Sequence, residues 1–128
     1  LQGQHGTTPV HTIQEISLLR SRLPKNIRCF TANDLNGRLL AGTVIYETDT
    51  VAHTKYLANS ELGRDLGALD LLLDRLITET YARKRYFDFG ISTEEDGKCL
   101  NTGLIAQKEG FGARAFVYDF FKINLMNI

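Results

Sequence analysis

Apolar positions recur along this chain with two periods, and each change of period marks an element. Residues 1 to 10 show no period, and Gly3, Gly6 and Pro9 predict an extended lead-in reaching residue 11. Thr12-Ile13-Gln14-Glu15 then forms a capping box, in which each end side chain accepts the other's backbone N–H at a helix start. A helix follows to about Arg22, with Ile13, Ile16, Leu19 and Leu23 on one face, and Pro24 ends it by removing a donor. From Ile27 to Leu35 the period falls to two, and Asn36-Gly37 signals a hairpin because both residues tolerate positive φ. The return strand is predicted from Arg38 to Thr48. After Asp49-Thr50 a third strand runs from Val51 to about Ala58, with Ala52, Thr54, Tyr56 and Ala58 on one face and His53 and Lys55 on the other.

The period then lengthens again. Leu66, Leu69, Leu73, Leu76 and Ile77 form one stripe, with Asp70, Asp74, Thr78 and Glu79 largely elsewhere, which predicts a core helix of about 17 residues. Tyr86 to Gly90 reads as a short buried strand reached by a crossover, and so parallel to its predecessor. Ser92 to Lys98 is a polar loop, Asn101 caps a short helix through about Glu109, and Gly110 ends it. Ala113 to Leu125, rich in Phe, Val and Tyr, predicts a long closing strand.

Composition narrows the classes. A chain of 128 residues suits one domain, expected over 12–128. Fifteen basic residues balance fifteen acidic ones, so any charged ligand must be held locally rather than by a global field. The longest apolar cluster, within Leu66 to Ile77, is broken by Asp70, Asp74 and Arg75, so no segment spans a bilayer. Cys29 and Cys99 form no CxxC pair, which favours a reducing, cytoplasmic setting. The opening Leu1-Gln2-Gly3, without methionine or signal region, predicts a piece of a longer protein. His5 and His11 have no metal-ligand spacing to a Cys or Asp, and no metal is expected.

The most informative stretch is Gly63-Arg64-Asp65-Leu66-Gly67-Ala68, between a strand and a helix. Glycines there let a ligand approach helix-start amides whose dipole favours an anion, and Arg64 adds a charge-assisted bond. The plainer alternative is that Gly63 turns the chain, Gly67 and Ala68 let the helix pack on the sheet, and Arg64 is solvated.

The order of elements, with this glycine turn, resembles the GNAT acyltransferase superfamily. That resemblance implies an α+β fold, an α/β sandwich whose mixed, mostly antiparallel splayed sheet is flanked by helices. It covers about Thr12 to Leu125, without the usual first strand. The family's Gln/Arg-x-x-Gly-x-Gly/Ala turn, whose amides hold the coenzyme A pyrophosphate, is met by Arg64-x-x-Gly67, with Leu69 in place of the last small residue. Gly63, Arg64, Gly67 and Ala68 are therefore the implied cofactor-binding residues. Backbone N–H groups freed by a bulge near Tyr56 to Ala58 are implied to polarise the acyl carbonyl. Aligned on Gly110-Phe111, the tyrosine that serves the family as general acid is replaced by Ala106.

Asp88-Phe89-Gly90 followed by Gly103 to Gly112 resembles the narrower Fem-like branch, with Gln107 where that branch has phenylalanine. Fem ligases move an amino acid from aminoacyl-tRNA to a peptidoglycan precursor and contain two GNAT-like units, so a second such domain is implied in the full-length chain, with tRNA reached through that missing sequence. Lys108 is implied to contact phosphate or the reacting centre.

Two residues are the candidate catalytic pair. Lys108 lies beside the apolar face of its helix, where a lysine can equally be solvated. Asp88 alternates against Phe87 and Phe89, as a base or substrate anchor or as a structural bridge. His53, on the third strand, suits a base by its imidazole, although a lone histidine is more often structural. Glu94-Glu95-Asp96 is a solvated loop or a receiver for a cationic amine. Two functions follow: an acyltransferase using acyl-CoA or aminoacyl-tRNA to acylate an amine-bearing small molecule or peptidoglycan precursor, or a non-catalytic GNAT-like half that binds or scaffolds.

Overall fold

The capping box nucleates the first helix. In the computed structural model, which describes residues 11–127, Thr12 Oγ1 accepts the Glu15 N–H and the Glu15 carboxylate accepts the Thr12 N–H, opening α1 at Ile13–Arg22. No α1 residue is fully buried, and Ile13 remains 72% exposed. A meander follows as predicted: β1 (Ile27–Asn33), β2 (Leu39–Glu47) and β3 (Val51–Asn59), each antiparallel to the last. At the first hairpin only Gly37 takes positive φ, at 82°. The turn is built by Asp34, whose Oδ1 accepts the N–H groups of Asn36 and Arg38.

The single long helix predicted after β3 is divided. Glu61–Leu66 forms α2, Gly67 turns left-handed at φ 68°, and Ala68–Arg75 forms α3, running into a π turn at Leu76–Thr80. The division has a steric origin. Gly63 is pressed onto β2 so closely that a Cβ there would lie 2.1 Å from the Leu40 carbonyl oxygen, while α3 must turn its own leucines to the sheet. Gly67 absorbs the change of direction at a φ only glycine adopts freely. The crossover ends in β4 (Tyr86–Asp88), parallel to β3 at Val51↔Tyr86, Ala52↔Phe87 and His53↔Asp88, giving the sheet order β1-β2-β3-β4. β4 is less buried than predicted, with Tyr86 49% exposed.

The core lies on the α3 side of the sheet. Ile45, Ala52, Leu76 and Tyr81 are buried together, with Phe30, Leu72 and Phe87 packed around them. The Tyr81 ring stands edge-on to Phe30 at 5.9 Å, and its hydroxyl donates to Glu47 Oε2 at 3.0 Å. Glu47 also meets Lys84 at 3.4 Å, so one carboxylate ties the crossover's exit to the end of β2.

The described residues fall into two compact units, the one above ending at Ile91 and another beginning at Ser92. In the second, a small hairpin pairs β5 (Thr93–Glu94) with β6 (Cys99–Leu100) around a turn where Glu95 and Asp96 both have positive φ. Asn101 caps α4 (Thr102–Gly110) by accepting the Leu104 N–H. The closing strand predicted over Ala113 to Leu125 is not formed. Gly112, at φ 90°, turns the chain, and residues 113–124 carry no ladder before a 3₁₀ turn at Leu125–Asn127. Strand propensity is expressed only against a partner strand, and none pairs with this segment among the described residues.

Burial, then the hydrogen bond to Glu47 and its charge, push the Tyr81 phenol up from 10.0 to about 12. Because the folded value lies above the unfolded one, this contribution to stability is complete below about pH 10 and is lost as pH rises toward 12. Tyr81→Phe should cost about 1–3 kcal/mol at pH 7 by urea unfolding. The difference from the native chain should shrink between pH 10 and 12 and be constant below.

Candidate functional site

The site begins with one extra residue in β3. Val44 pairs with Tyr56 but Ile45 pairs with Thr54, leaving Lys55 as a bulge. Alternation had set Tyr56 on the face opposite His53. The bulge reverses this, so His53, Tyr56 and their β2 partners Tyr46 and Val44 share one face, while Ala52 and Thr54 face the core. No periodicity in the sequence marks Lys55 as the bulged position.

On that face the parallel pairing brings His53 beside Asp88. His53 Nδ1 and Asp88 Oδ2 are 2.8 Å apart, with the two side chains 32% and 49% exposed. Asp88 Oδ1 accepts the Gly90 N–H at 2.8 Å, and the Thr54 hydroxyl donates to the Asp88 carbonyl at 3.3 Å. Gly90, at φ 76°, is what lets the chain fold back onto the carboxylate. With Nδ1 occupied, Nε2 is the nitrogen left to exchange a proton. Asp88 was legible as a candidate. His53 was legible only as a lone histidine, because its partner lies 35 residues away.

Beyond this pair the β3–β4 ladder stops. β4 ends at Asp88 while β3 continues to Asn59, so residues 54–59 have no ladder partner on the β4 side among the described residues. A little further along, Tyr56 is bound at its hydroxyl by His11, which donates its backbone N–H at 3.0 Å and places Nδ1 at 2.8 Å. The neighbouring Tyr46 hydroxyl is sealed from solvent and has no hydrogen-bond partner among the described residues. Burial, and then the nearby Tyr56, hold the Tyr46 phenol above its usual range.

The four residues expected to bind a cofactor divide by environment. Gly63 is buried and its N–H is already taken by Ser60 Oγ at 2.9 Å. Gly67 also spends its N–H, on the Arg64 and Gly63 carbonyls, yet nothing lies within 4 Å of where its Cβ would be. Arg64 is exposed and Ala68 buried. The first-turn amides of α3 receive no side-chain cap, and the exposed Asp70 adds a negative charge at the same end. Of the four, Gly67 has open space beside it, whereas Gly63 is closed in by β2.

Lys108 belongs to the second unit. It is 9% exposed on α4, not solvated, and its Nζ donates to Ser92 Oγ at 3.0 Å, while the Ser92 carbonyl accepts the Asn101 N–H. In the same unit Glu94 is linked to the Asn101 amide at 3.1 Å. A surface hollow lined by Ser17, Arg20, Ser21 and Pro24 on and after α1 contains none of these residues. Among the described residues no helix is long and apolar enough to cross a membrane.

No protein-family model matches the chain, and none of the curated proteins matches it significantly. Three solved structures share its fold. A mutant of the BH1408 protein from Bacillus halodurans superposes with a TM-score of 0.62 at 13% identity, over 97% of this chain and 82% of that one. A candidate acetyl transferase from Pyrococcus furiosus gives 0.57 at 19%, over 87% and 75%. An aminoglycoside acetyltransferase from an uncultured soil metagenomic sample gives 0.55 at 21%, over 96% and 80%. The fold is thus the GNAT-like α+β fold of these acetyltransferases, with a mostly antiparallel sheet flanked by helices.

The His53–Asp88 contact sets a measurable expectation. Asp88→Ala removes the acceptor of both His53 Nδ1 and the Gly90 N–H, and at this exposure should cost about 1 kcal/mol by urea unfolding. The imidazole nitrogen resonances of His53, and of no other histidine, should show the loss of the Nδ1 partner.

Proposed function

We propose that this chain is an acyltransferase domain of the GNAT type, transferring an acyl group from acyl-CoA to an amine. The observation that carries this reading is the fork, the point where the β3–β4 ladder stops. It stops immediately after an oriented histidine–aspartate pair, beside a bulge and ahead of a helix start with open space at Gly67. Acyl transfer to an amine needs a positioned carbonyl, a neutral nucleophile and a proton acceptor, with little covalent assistance. In this reading the unpaired edge of β3 beyond Thr54 polarises the carbonyl. His53 Nε2 takes the amine's proton, and Asp88 holds the ring and balances the imidazolium. Ala68 and Leu69 amides with Arg64 hold phosphate, Gly67 supplying the space. Coenzyme A would supply the activated thioester: as the amide C–N bond forms the C–S bond breaks, and the coenzyme A thiolate leaves and takes a proton from solvent.

The narrower Fem-like reading adds aminoacyl-tRNA as donor and a peptidoglycan precursor as acceptor, with a second GNAT-like domain and a cytoplasmic setting. It is supported by Asp88-Phe89-Gly90 and by the segment around Lys108, whose depth on α4 suits a fixed cation more than a solvated one. Ala106, standing where a general acid is expected, supports the second reading, a GNAT-like half that binds substrate without chemistry.

Thermal unfolding separates these. Coenzyme A or acetyl-CoA at about 100 times its Kd should add about 2.7 kcal/mol of stability. Arg64→Glu should weaken that binding about tenfold or more while leaving the unliganded Tm unchanged. A shift with UDP-linked muropeptide alone would favour the binding half. No shift with any donor or acceptor, aminoacyl-tRNA included, would reject the proposal.

A further inference from the structure

The face of the sheet that carries His53 and Asp88 is also where α1 is fastened, and the fastening is unusual. α1 buries no residue fully, and Ile13 and Leu18 are 72% and 50% exposed, so the hydrophobic effect holds it weakly. Its start is held instead by His11, which engages the Tyr56 hydroxyl through both its backbone N–H and its ring, the two rings standing edge-on at 6.3 Å. The Tyr56 hydroxyl is thus turned to His11 through two contacts, and no bond runs from it to Tyr46 among the described residues. Tyr46 lies diagonally across β2 and β3 from Tyr56, two residues along from its partner Val44 and on the same face, within reach for aromatic side chains. Its hydroxyl is buried with no partner among the described residues, a state that native structures rarely tolerate without a reason.

We propose that His11 and Tyr56 form a clasp on the start of α1, and that Tyr46 is the spring that opens it: when His11 lets go, the Tyr56 hydroxyl is free to bond to Tyr46. Closing satisfies His11 and leaves Tyr46 without a bond; opening does the reverse. The two states are thereby kept close in free energy, and α1 acts as a strap that lifts from the sheet face while the meander stays folded. Only the Lys55 bulge makes this possible, because without it Tyr56 would face the core. The lifted strap bares Tyr56 on the face of His53 and Asp88, which gives the fork a means of controlled access. The clasp is a property of the sheet and of α1, and does not require the acyl-transfer reading.

Amide hydrogen exchange of the unliganded 128-residue chain tests this, with the β1–β3 amides as an internal check on global stability. His11→Ala keeps the backbone bond but loses the ring's, and should speed exchange over Ile13–Arg22 about fivefold. Tyr56→Phe removes both bonds and should speed it more. Tyr46→Phe removes the partner gained on opening and should slow α1 exchange about fivefold, an effect in the direction opposite to ordinary loss of a polar group. Tyr46→Phe added to Tyr56→Phe should change nothing further, since the bond it deletes no longer exists. The inference is overturned if Tyr46→Phe leaves α1 exchange unchanged or speeds it, if its effect persists undiminished beside Tyr56→Phe, or if His11→Ala alters β1–β3 as much as α1.

Discussion

A single unpaired residue in β3 governs this molecule's usable surface. Lys55 has no partner on β2, and by occupying one place in the strand it inverts the facing of everything after it. Residues before the bulge keep the core packed: Ala52 sits against Ile45, Leu76 and Tyr81. The first large residue after it, Tyr56, is delivered to the opposite side, where it meets His11 and neighbours Tyr46 and His53. The extra twist of a bulged strand also suits a sheet whose next strand pairs over only three residues.

So short a ladder suffices because the crossover is anchored elsewhere. Gly63 holds α2 against the β2 backbone, α3 inserts its leucines above the sheet, and Glu47 gathers Tyr81 and Lys84 at the far end. β4 therefore needs only three paired residues to be placed. What would be a frayed strand in isolation is a defined edge here, finished by Asp88 gripping both the Gly90 N–H and His53. The chemical pair and the end of the strand are the same structure, so the fork cannot form without orienting the histidine.

Much of this was legible in the residues. Thr12-x-x-Glu15, the three strands of the meander and their order, the parallel return at Tyr86 and the Asn101 cap all follow local rules that tertiary structure did not override. What was not legible depended on partners. The bulge at Lys55 is a relation between two strands, and the break at Gly67 accompanies a close approach of α2 to β2 at Gly63 rather than any loss of helical pattern. The apolar run from 113 promised a strand on composition alone, yet Val117, Tyr118 and Phe120 are more than 80% exposed, because propensity cannot supply a ladder. For the site, Asp88 and the glycine turn could be picked out, whereas the histidine's role could not, since nothing short of the fold sets it against a carboxylate 35 residues downstream.

The brevity of the β3–β4 ladder also bears on how the molecule reaches its native state. The meander joins neighbours in sequence and carries little loop-closure cost, but β4 pairs with a strand some 35 residues earlier and gains only three rungs for doing so. Loop-closure entropy thus favours its docking after the crossover helices have condensed on the meander. On that order the histidine and aspartate would be united late in folding, and a nascent chain halted before Asp88 would hold the meander without the pair.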